Sequence, residues 1–177
     1  MEPWKHAAPN ETIKVGWRTL VRKTFVAPDG TDQEYVTVDK EGAQTAAIIA
    51  VTSRHTVVVA KQFRPGPERI MYELPGGFVD IGEEPKLAAL RELREETGYA
   101  AKEVVLLGAL PRDGYSNTTV HYYFAQDAIK VGEPATDDGE FIEIEEVSVA
   151  QLFEHVRRGE VTDYGAILLA YDRLKTL

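Results

Sequence analysis

Four glutamates and two glycines carry the chemistry that this sequence can do. Glu92, Glu95 and Glu96 sit in the run RELREETG, with Glu83 ahead of them and Gly76-Gly77 ahead of all four. On a helix turning about 100° per residue, the three later acids fall within one third of the circumference. Ala89, Leu90, Leu93 and Thr97 make a neighbouring, mostly apolar arc. Acids so placed repel one another unless positive charge intervenes. Arg91 and Arg94 can supply part of it by local pairing. A hard divalent cation supplies it better, because carboxylate and carbonyl oxygens are the ligands Mg²⁺ prefers and a Mg²⁺ site contacts substrate phosphates. For an isolated E-L-R-E-E string the ordinary reading is a solvated charged face; the glycine pair and Glu83 weigh against it.

The elements that must hold these residues are readable on both sides. The helix is expected to start near Glu84 or Pro85, since proline is tolerated in a first turn, and to stop at Gly98 in the left-handed conformation of a C′ glycine. Gly76 and Gly77 are expected to supply positive φ in a tight turn. Upstream, Gln44 opens an apolar strand, and after a turn at Ser53-Arg54-His55 the run TVVVAKQFR reads as its antiparallel neighbour, both apolar enough to be central. Met71 to Pro75 reads as a short strand delivering the glycines. Downstream come strands at Glu103–Leu110, Thr119–Gln126 and Glu140–Val147, the last with Phe141 or Ile142 and Ile144 toward the core. A helix capped by Ser148 and stopped at Gly159 follows, then a final helix from Asp163 to Leu177. Strands, helix, strands and two helices make an α+β fold and not the repeated βα units of a doubly wound sheet. The opening segment, after a loose arm to Thr12, reads as two or three strands around Pro28-Asp29-Gly30; a ribbon of that size is marginal alone and is expected to pack on more protein.

The spacing Gly77, five residues, Glu83, seven residues, Arg91-Glu92-Leu93, one residue, Glu95-Glu96, one residue, Gly98-Tyr99 resembles the signature of the Nudix hydrolases at every fixed position, with Tyr99 where an aliphatic residue is usual. The resemblance implies a mixed β-sheet sandwiched between helices, with an N-terminal antiparallel β extension over residues 1–42 and a catalytic domain over 43–177. It implies Mg²⁺, or Mn²⁺ in its place, held by Glu92 and Glu96 first, with Glu95, Glu83, Glu140 and the Gly76 carbonyl as further ligands. Asp138 and Glu140, in the acidic run DDGEFIEIEEV, are matched to the acids that orient or deprotonate water. Glu95 and Arg91 complete the catalytic group, Arg91 as an anchor of the acidic face.

The segment KQFRPGPERIMYELPGGF is similar to the corresponding stretch of the ADP-ribose and nucleoside-diphosphate-sugar pyrophosphatases. That similarity implies a sugar-nucleotide substrate and a homodimer closed through the N-terminal strands. Arg64 and Glu73 become candidate substrate contacts, with Trp17 and Arg18 on the N-terminal ribbon and Arg112, Tyr115 and Ser116 beyond the helix. An ion pair, a packed anchor or a plain turn would explain each without a ligand. That subgroup usually has Ser-Pro-Gly followed by a serine and an acid; here Asp113 and Thr118 occupy the proline and acid positions. A broader nucleoside-diphosphate-sugar specificity is therefore preferred to strict ADP-ribose. The alternatives are hydrolysis of dinucleoside polyphosphates or nucleoside triphosphates, and a non-catalytic nucleotide-binding module, against which the retained acids argue.

Composition narrows the remaining choices. The 177 residues carry 29 acidic against 20 basic side chains, a formal charge of −9, which suits no non-specific nucleic-acid partner. Without cysteine there is no disulfide, thiolate nucleophile or thiolate zinc site. Neither a signal-peptide pattern nor an apolar run able to span a bilayer is present, so no membrane partner and a cytoplasmic location are expected.

Overall fold

The computed structural model describes residues 2–135 and 141–177. Two compact units divide the chain, one formed by Met1–Gln44 with Pro111–Thr119, the other by Thr45–Leu110 with Val120–Leu177.

In the first unit the opening segment makes four strands, more than its sequence suggested: β1 (Lys5–His6), β2 (Glu11–Val15), β3 (Arg18–Val26) and β4 (Asp32–Val38). β3 is the spine. It pairs antiparallel with β4 from Leu20↔Val38 to Val26↔Asp32, with β2 from Glu11↔Arg22 to Val15↔Arg18, and with β1 at its far end. Gly16 and Gly30 adopt the positive φ that the two hairpin turns need. The segment 111–119 attaches along the end of β4: the Val38 amide donates to the Tyr115 carbonyl at 2.8 Å and the Asn117 amide to the Val38 carbonyl at 2.9 Å.

The second unit holds β5 (Gln44–Thr52), β6 (Thr56–Arg64), β7 (Arg69–Glu73), β8 (Gly76–Phe78), α1 (Pro85–Thr97), β9 (Tyr99–Ala100), β10 (Val104–Pro111), β11 (Thr119–Lys130), β12 (Glu143–Ser148), α2 (Val149–Arg157), α3 (Tyr164–Leu169) and α4 (Tyr171–Lys175). The sheet runs β10-β11-β5-β6-β12, with β7 added to β6, β8 to β5 and β9 to β11. Strand alternation sorts the core to two faces. From β5, Ala46, Ile48 and Ala50 join Ala88, Ala89 and Leu93 of α1, while Ala47, Ile49 and Val51 join Leu152, Ile167 and Leu174 of the C-terminal helices. β11 does the same, with Tyr122 and Phe124 on one face and Tyr123 and Ala125 on the other. A sheet covered by helices on both faces needs apolar residues at every position of its central strands, which is why β5 reads as an unbroken apolar run. Each fully buried isoleucine there contributes about 1.5–3 kcal/mol.

Three sequence expectations change in detail. The last helix is broken at Ala170 into α3 and α4. β11 extends to Lys130, and β12 starts only at Glu143, leaving Phe141 exposed while Ile144 packs against the α1 face. Ser148 caps α2 as expected, in a reciprocal capping box with Gln151. Among the described residues, no helix is long and apolar enough to cross a membrane.

Candidate active site

Helix α1 starts at Pro85 and ends at Gly98, whose φ of 72° lets its amide reach back to the Arg94 carbonyl at 2.9 Å. The apolar arc, Ala88, Ala89, Leu93 and Thr97, is buried against the sheet. Burying it fixes the rotation of the helix, and so presents the neighbouring acids to β8.

Gly76 and Gly77 do not adopt the positive φ expected of them; in this loop that conformation falls to Gly82. They are strand residues, Gly76 opposite Ala47 and Gly77 opposite Ala46. Glycine is required there for closeness. A Cβ on Gly76 would lie 2.8 Å from the Cα and Cβ of Ala47, and one on Gly77 would overlap the Glu92 carboxylate. The missing Cβ at Gly77 is the space that Glu92 occupies. One turn along, Glu96 accepts the Gly76 amide at 3.0 Å. The expected pair Glu92 and Glu96 thus braces the glycine pair, acid by acid.

Arg91 holds the rest. Its Nε and Nη2 donate to the two oxygens of Glu83, each at 3.1 Å, and Nη1 donates to Glu92 at 2.7 Å and Glu95 at 3.1 Å. Nη2 also reaches the Phe78 carbonyl at 3.1 Å, tying the network to β8. Hydrogen bonding by Glu83 is the largest cause pushing the Arg91 pKa further up; reciprocally, Arg91 and then the Asp80 amide hold Glu83 below the usual carboxylate range. One guanidinium therefore pairs with three carboxylates.

These oxygens suit a hard cation in type, and the space at Gly77 brings one carboxylate against the strand. Among the described residues no three acids or histidines are gathered closely enough to hold a metal ion by themselves. Asp138 and Glu140 lie outside the described residues. The segment leading to them is tied to the end of α1: the Ala135 amide donates to the Glu95 carbonyl at 2.7 Å, and the Val131 amide to the Gly98 carbonyl at 2.8 Å.

Arg64 and Glu73 form a two-bond ion pair, Nε to Oε1 at 2.5 Å and Nη2 to Oε2, with Glu73 buried and Arg64 partly exposed. Glu73 is the main cause of the raised Arg64 pKa, and the fields of Glu96 and Asp163 add to it. Arg64 is thereby in the electrostatic neighbourhood of the acid face. Asp163 was not singled out in the sequence, where it reads only as the first residue of the final helix. Its position is the N-cap of α3, yet its side chain makes no cap bond. Oδ2 accepts instead the Leu74 amide at 3.1 Å and the Thr162 hydroxyl at 2.9 Å, while desolvation pushes its carboxyl above the ordinary aspartate value.

In the first unit the remaining candidates gather around another residue the sequence did not mark. Asp39 is 6% exposed and takes a φ of 68°, rare for a side chain with a Cβ but tolerated by aspartate. Its Oδ2 accepts from Thr118 Oγ1 at 2.6 Å and from Ser116 Oγ and Arg112 Nη1 at 3.4 Å, and Arg18 Nη1 lies 3.9 Å from Oδ1. The Arg18 guanidinium sits 4.3 Å over the ring of Trp17, whose residue is 77% exposed, so within this chain Trp17 is no packed anchor. Tyr115 is exposed at the tip of the same loop, where its amide bonds the Asp113 carboxylate at 2.6 Å.

The family model for the NUDIX domain matches residues 42–167. An ADP-ribose pyrophosphatase of Bacillus subtilis (strain 168) is 36% identical over 138 residues, 77% of this chain and 74% of that protein. An ADP-sugar pyrophosphatase of Mus musculus is 34% identical over 159 residues, 80% of this chain and 73% of the relative, and a methanol dehydrogenase activator of Bacillus methanolicus is 29% identical over 143 residues, 80% and 76%. A solved structure described as an ADP compounds hydrolase superposes with a TM-score of 0.80 over 99% of this chain and 96% of that one; at 18% identity it speaks for the fold. A family model spanning most of the sequence, and relatives of this identity over more than two thirds of it, place the protein in the Nudix family.

Proposed function

We propose that this Nudix hydrolase cleaves the diphosphate linkage of nucleoside-diphosphate sugars, ADP-ribose among them, to a nucleoside monophosphate and a sugar phosphate. The observation that carries the reading is the acid face of α1: Glu92 fills the space left by Gly77, Glu96 takes the Gly76 amide, and Arg91 binds Glu83, Glu92 and Glu95 together. In this reading Glu92 and Glu96 hold Mg²⁺ or Mn²⁺, joined by Glu95, Glu83, Glu140 and the Gly76 carbonyl. When bound, the cation neutralises the diphosphate and lowers the pKa of water. The chain supplies the rest. Arg91 keeps the carboxylates from repelling one another, and a carboxylate of Glu95, Asp138 or Glu140 accepts the proton of the attacking water. Asp138 and Glu140, which lie outside the described residues, are counted with this group because the acidic run that holds them resembles the place where these pyrophosphatases keep further catalytic acids.

Arg64, steadied by Glu73, is a phosphate contact in this reading. Arg18, Arg112 and Ser116 around Asp39, with the exposed rings of Trp17 and Tyr115, provide cations, a hydroxyl and stacking surfaces of the kind a nucleotide takes. The sugar-nucleotide substrate is supported by the names of the Bacillus subtilis and Mus musculus relatives. A homodimer through the N-terminal strands is part of the same proposal, supported by the exposure of Val15, Trp17, Val26 and Val36 there.

The test is hydrolysis of ADP-ribose, GDP-mannose, ADP-glucose, UDP-glucose, a dinucleoside polyphosphate and the nucleoside triphosphates, with and without Mg²⁺, read as phosphate released after phosphatase treatment for the first five and as nucleoside monophosphate resolved by chromatography for the triphosphates, which phosphatase would attack directly. Mg²⁺-dependent turnover of a sugar nucleotide above the others is the expected result. Preference for a triphosphate or dinucleoside polyphosphate would overturn the substrate class, and nucleotide binding without turnover would overturn the enzyme.

A further inference from the structure

The amides of Tyr72, Leu74 and Gly76 alternate along β7, the following turn and the start of β8, so they project toward one edge. Three different acceptors meet them in succession. The Tyr72 amide donates to the Glu160 carbonyl at 2.8 Å, and the Thr162 amide returns a bond to the Tyr72 carbonyl at 3.3 Å, a short parallel bridge between β7 and the linker before α3. At Leu74 the linker backbone no longer serves, and the Asp163 carboxylate takes the amide at 3.1 Å. At Gly76 the acceptor is the Glu96 carboxylate, at 3.0 Å. The other edge is occupied too: the Ile48 amide donates to the Pro75 carbonyl at 3.0 Å. Pro75 has no N–H and a fixed φ, so between Leu74 and Gly76 the chain has little freedom. Where Leu74 is held decides where the Gly76 amide points.

We propose that Asp163 is a positioning residue of the active site: by accepting the Leu74 amide it sets the turn that presents the Gly76 N–H to Glu96, and so fixes the orientation of that carboxylate. The inference rests on the reading of Glu96 as a metal-holding acid. Asp163 works as an acceptor. Both of its bonds, from Leu74 and from Thr162, end on the same oxygen, Oδ2, so an amide oxygen in its place can take both. Outer partners that orient a metal ligand typically change affinity by about 10–100-fold when removed.

The experiment compares wild type, Asp163→Ala, Asp163→Asn and Glu96→Gln. Three quantities are read: the Gly76 amide position in a ¹⁵N–¹H spectrum of the metal-free protein, the Kd for Mn²⁺ alone from the free-ion resonance, and kcat and KM for ADP-ribose with Mg²⁺. Asp163→Ala is expected to move the Gly76 signal, weaken Mn²⁺ about 10-fold and lower kcat comparably, with KM within about 2-fold of wild type. Asp163→Asn is expected to restore all three. A folded Asp163→Ala protein with wild-type Gly76 signal and Mn²⁺ affinity would overturn the proposal. So would an Asp163→Asn protein as impaired as the alanine variant, because charge and not the acceptor would then matter. Should Asp163→Ala not fold, Thr162→Val removes one donor to Oδ2 and is expected to move the Gly76 signal in the same direction; an unmoved signal would overturn the link. Glu96→Gln separates the two readings. Wild-type Mn²⁺ affinity in that variant would remove Glu96 from the metal site, while the response of Gly76 to Asp163 would still be decided by the spectrum.

Discussion

Two charge clusters in this molecule are built as opposites. At Arg91 one guanidinium is surrounded by Glu83, Glu92 and Glu95, so negative charge is in excess by two. At Asp39 one buried carboxylate faces Arg18 and Arg112, with the hydroxyls of Ser116 and Thr118 also bonded to it, so within these contacts the bases outnumber the acid by one. The chain as a whole carries −9, yet that sum describes neither place. Each cluster keeps a single compensating ion at its centre and leaves the surplus at its margin, where a ligand of opposite sign can use it. Net charge excludes partners for the surface at large; local stoichiometry decides what a site attracts.

The sharpest way to break the comparison is at Glu96, one turn beyond Glu92 on the same acid face. Glu96→Gln keeps the shape of the side chain and an acceptor for the Gly76 amide, and removes one charge. At saturating Mg²⁺ turnover is expected to fall by about 100-fold or more, with the far-ultraviolet circular dichroism unchanged, because under the proposed function the interaction lost belongs to the cation and not to the fold. A variant turning over at the wild-type rate would mean that the acid face is only a solvated surface. Arg91→Ala attacks the centre instead. The side chain is partly buried, at 30% exposure, so removing it takes one shared counter-charge from three carboxylates at a cost of about 2 kcal/mol. Thermal unfolding would show this as a lowered Tm, and 5 mM Mg²⁺ (about the concentration of a routine assay) should recover more of it than the same salt adds to wild type. Equal gains in both proteins would show that Arg91 and the cation do not compensate the same charges.

Why one cluster was legible in the sequence and the other was not follows from their construction. The Arg91 cluster lies within one helix and the loop before it, so i, i+4 spacing and a glycine stop disclose it. Even there the reason for Gly76 and Gly77 was misread: sequence identifies a glycine that cannot be replaced, but a positive φ and a close approach to Ala47 or Glu92 look alike until the pairing strand is known. Asp39 depends on contacts made across about 80 residues of chain, with Thr118 79 positions away, and no local period marks it. Asp163 hid for a related reason. Its place before an apolar run is that of a helix cap, while its carboxylate serves a turn between two strands 89 residues earlier. The fold itself was more open to reading, because a sheet buried on both faces writes its central strands as apolar runs; the shortened β12 and the break at Ala170 were not, since both are set by packing and not by composition.

The positive cluster can be tested without any ligand. Asp39→Ala removes an acceptor for buried hydroxyls and places a Cβ-bearing residue without a polar side chain at φ 68°, so a loss of about 2 kcal/mol is expected in urea unfolding. Asp39→Asn keeps an acceptor and suits the left-handed region, and should cost about 1 kcal/mol. What remains in the asparagine protein is repulsion between Arg18 and Arg112, both partly exposed, and that portion should shrink as NaCl rises from 0.05 to about 0.5 M. A cost independent of salt would mean the two guanidiniums do not feel one another, and the picture of a surplus held by Asp39 would fail.

A third cluster, in balance, serves as the control for both. Glu146 accepts Arg54 Nη2 at 2.5 Å, the Tyr99 hydroxyl at 2.6 Å and the Thr56 hydroxyl, one acid against one base. Burial alone would raise its pKa, but these bonds together hold it at about 2, against 4.5 for a free glutamate. A carboxyl whose folded pKa is depressed stabilises fully above its unfolded value and loses that contribution as pH falls toward the folded one. Because Arg54 is 74% exposed and screened by solvent, the contribution is expected to be only about 1 kcal/mol. The stability difference between wild type and Glu146→Gln, measured by urea unfolding, should therefore be near its full value at pH 7 and narrow between pH 4.5 and about 2. Neither Mg²⁺ nor a multivalent anion should change it, since no surplus of either sign is present. A difference that widened on acidification, or that followed Mg²⁺, would place Glu146 among the acids that serve a cation and would erase the distinction between a balanced cluster and an unbalanced one.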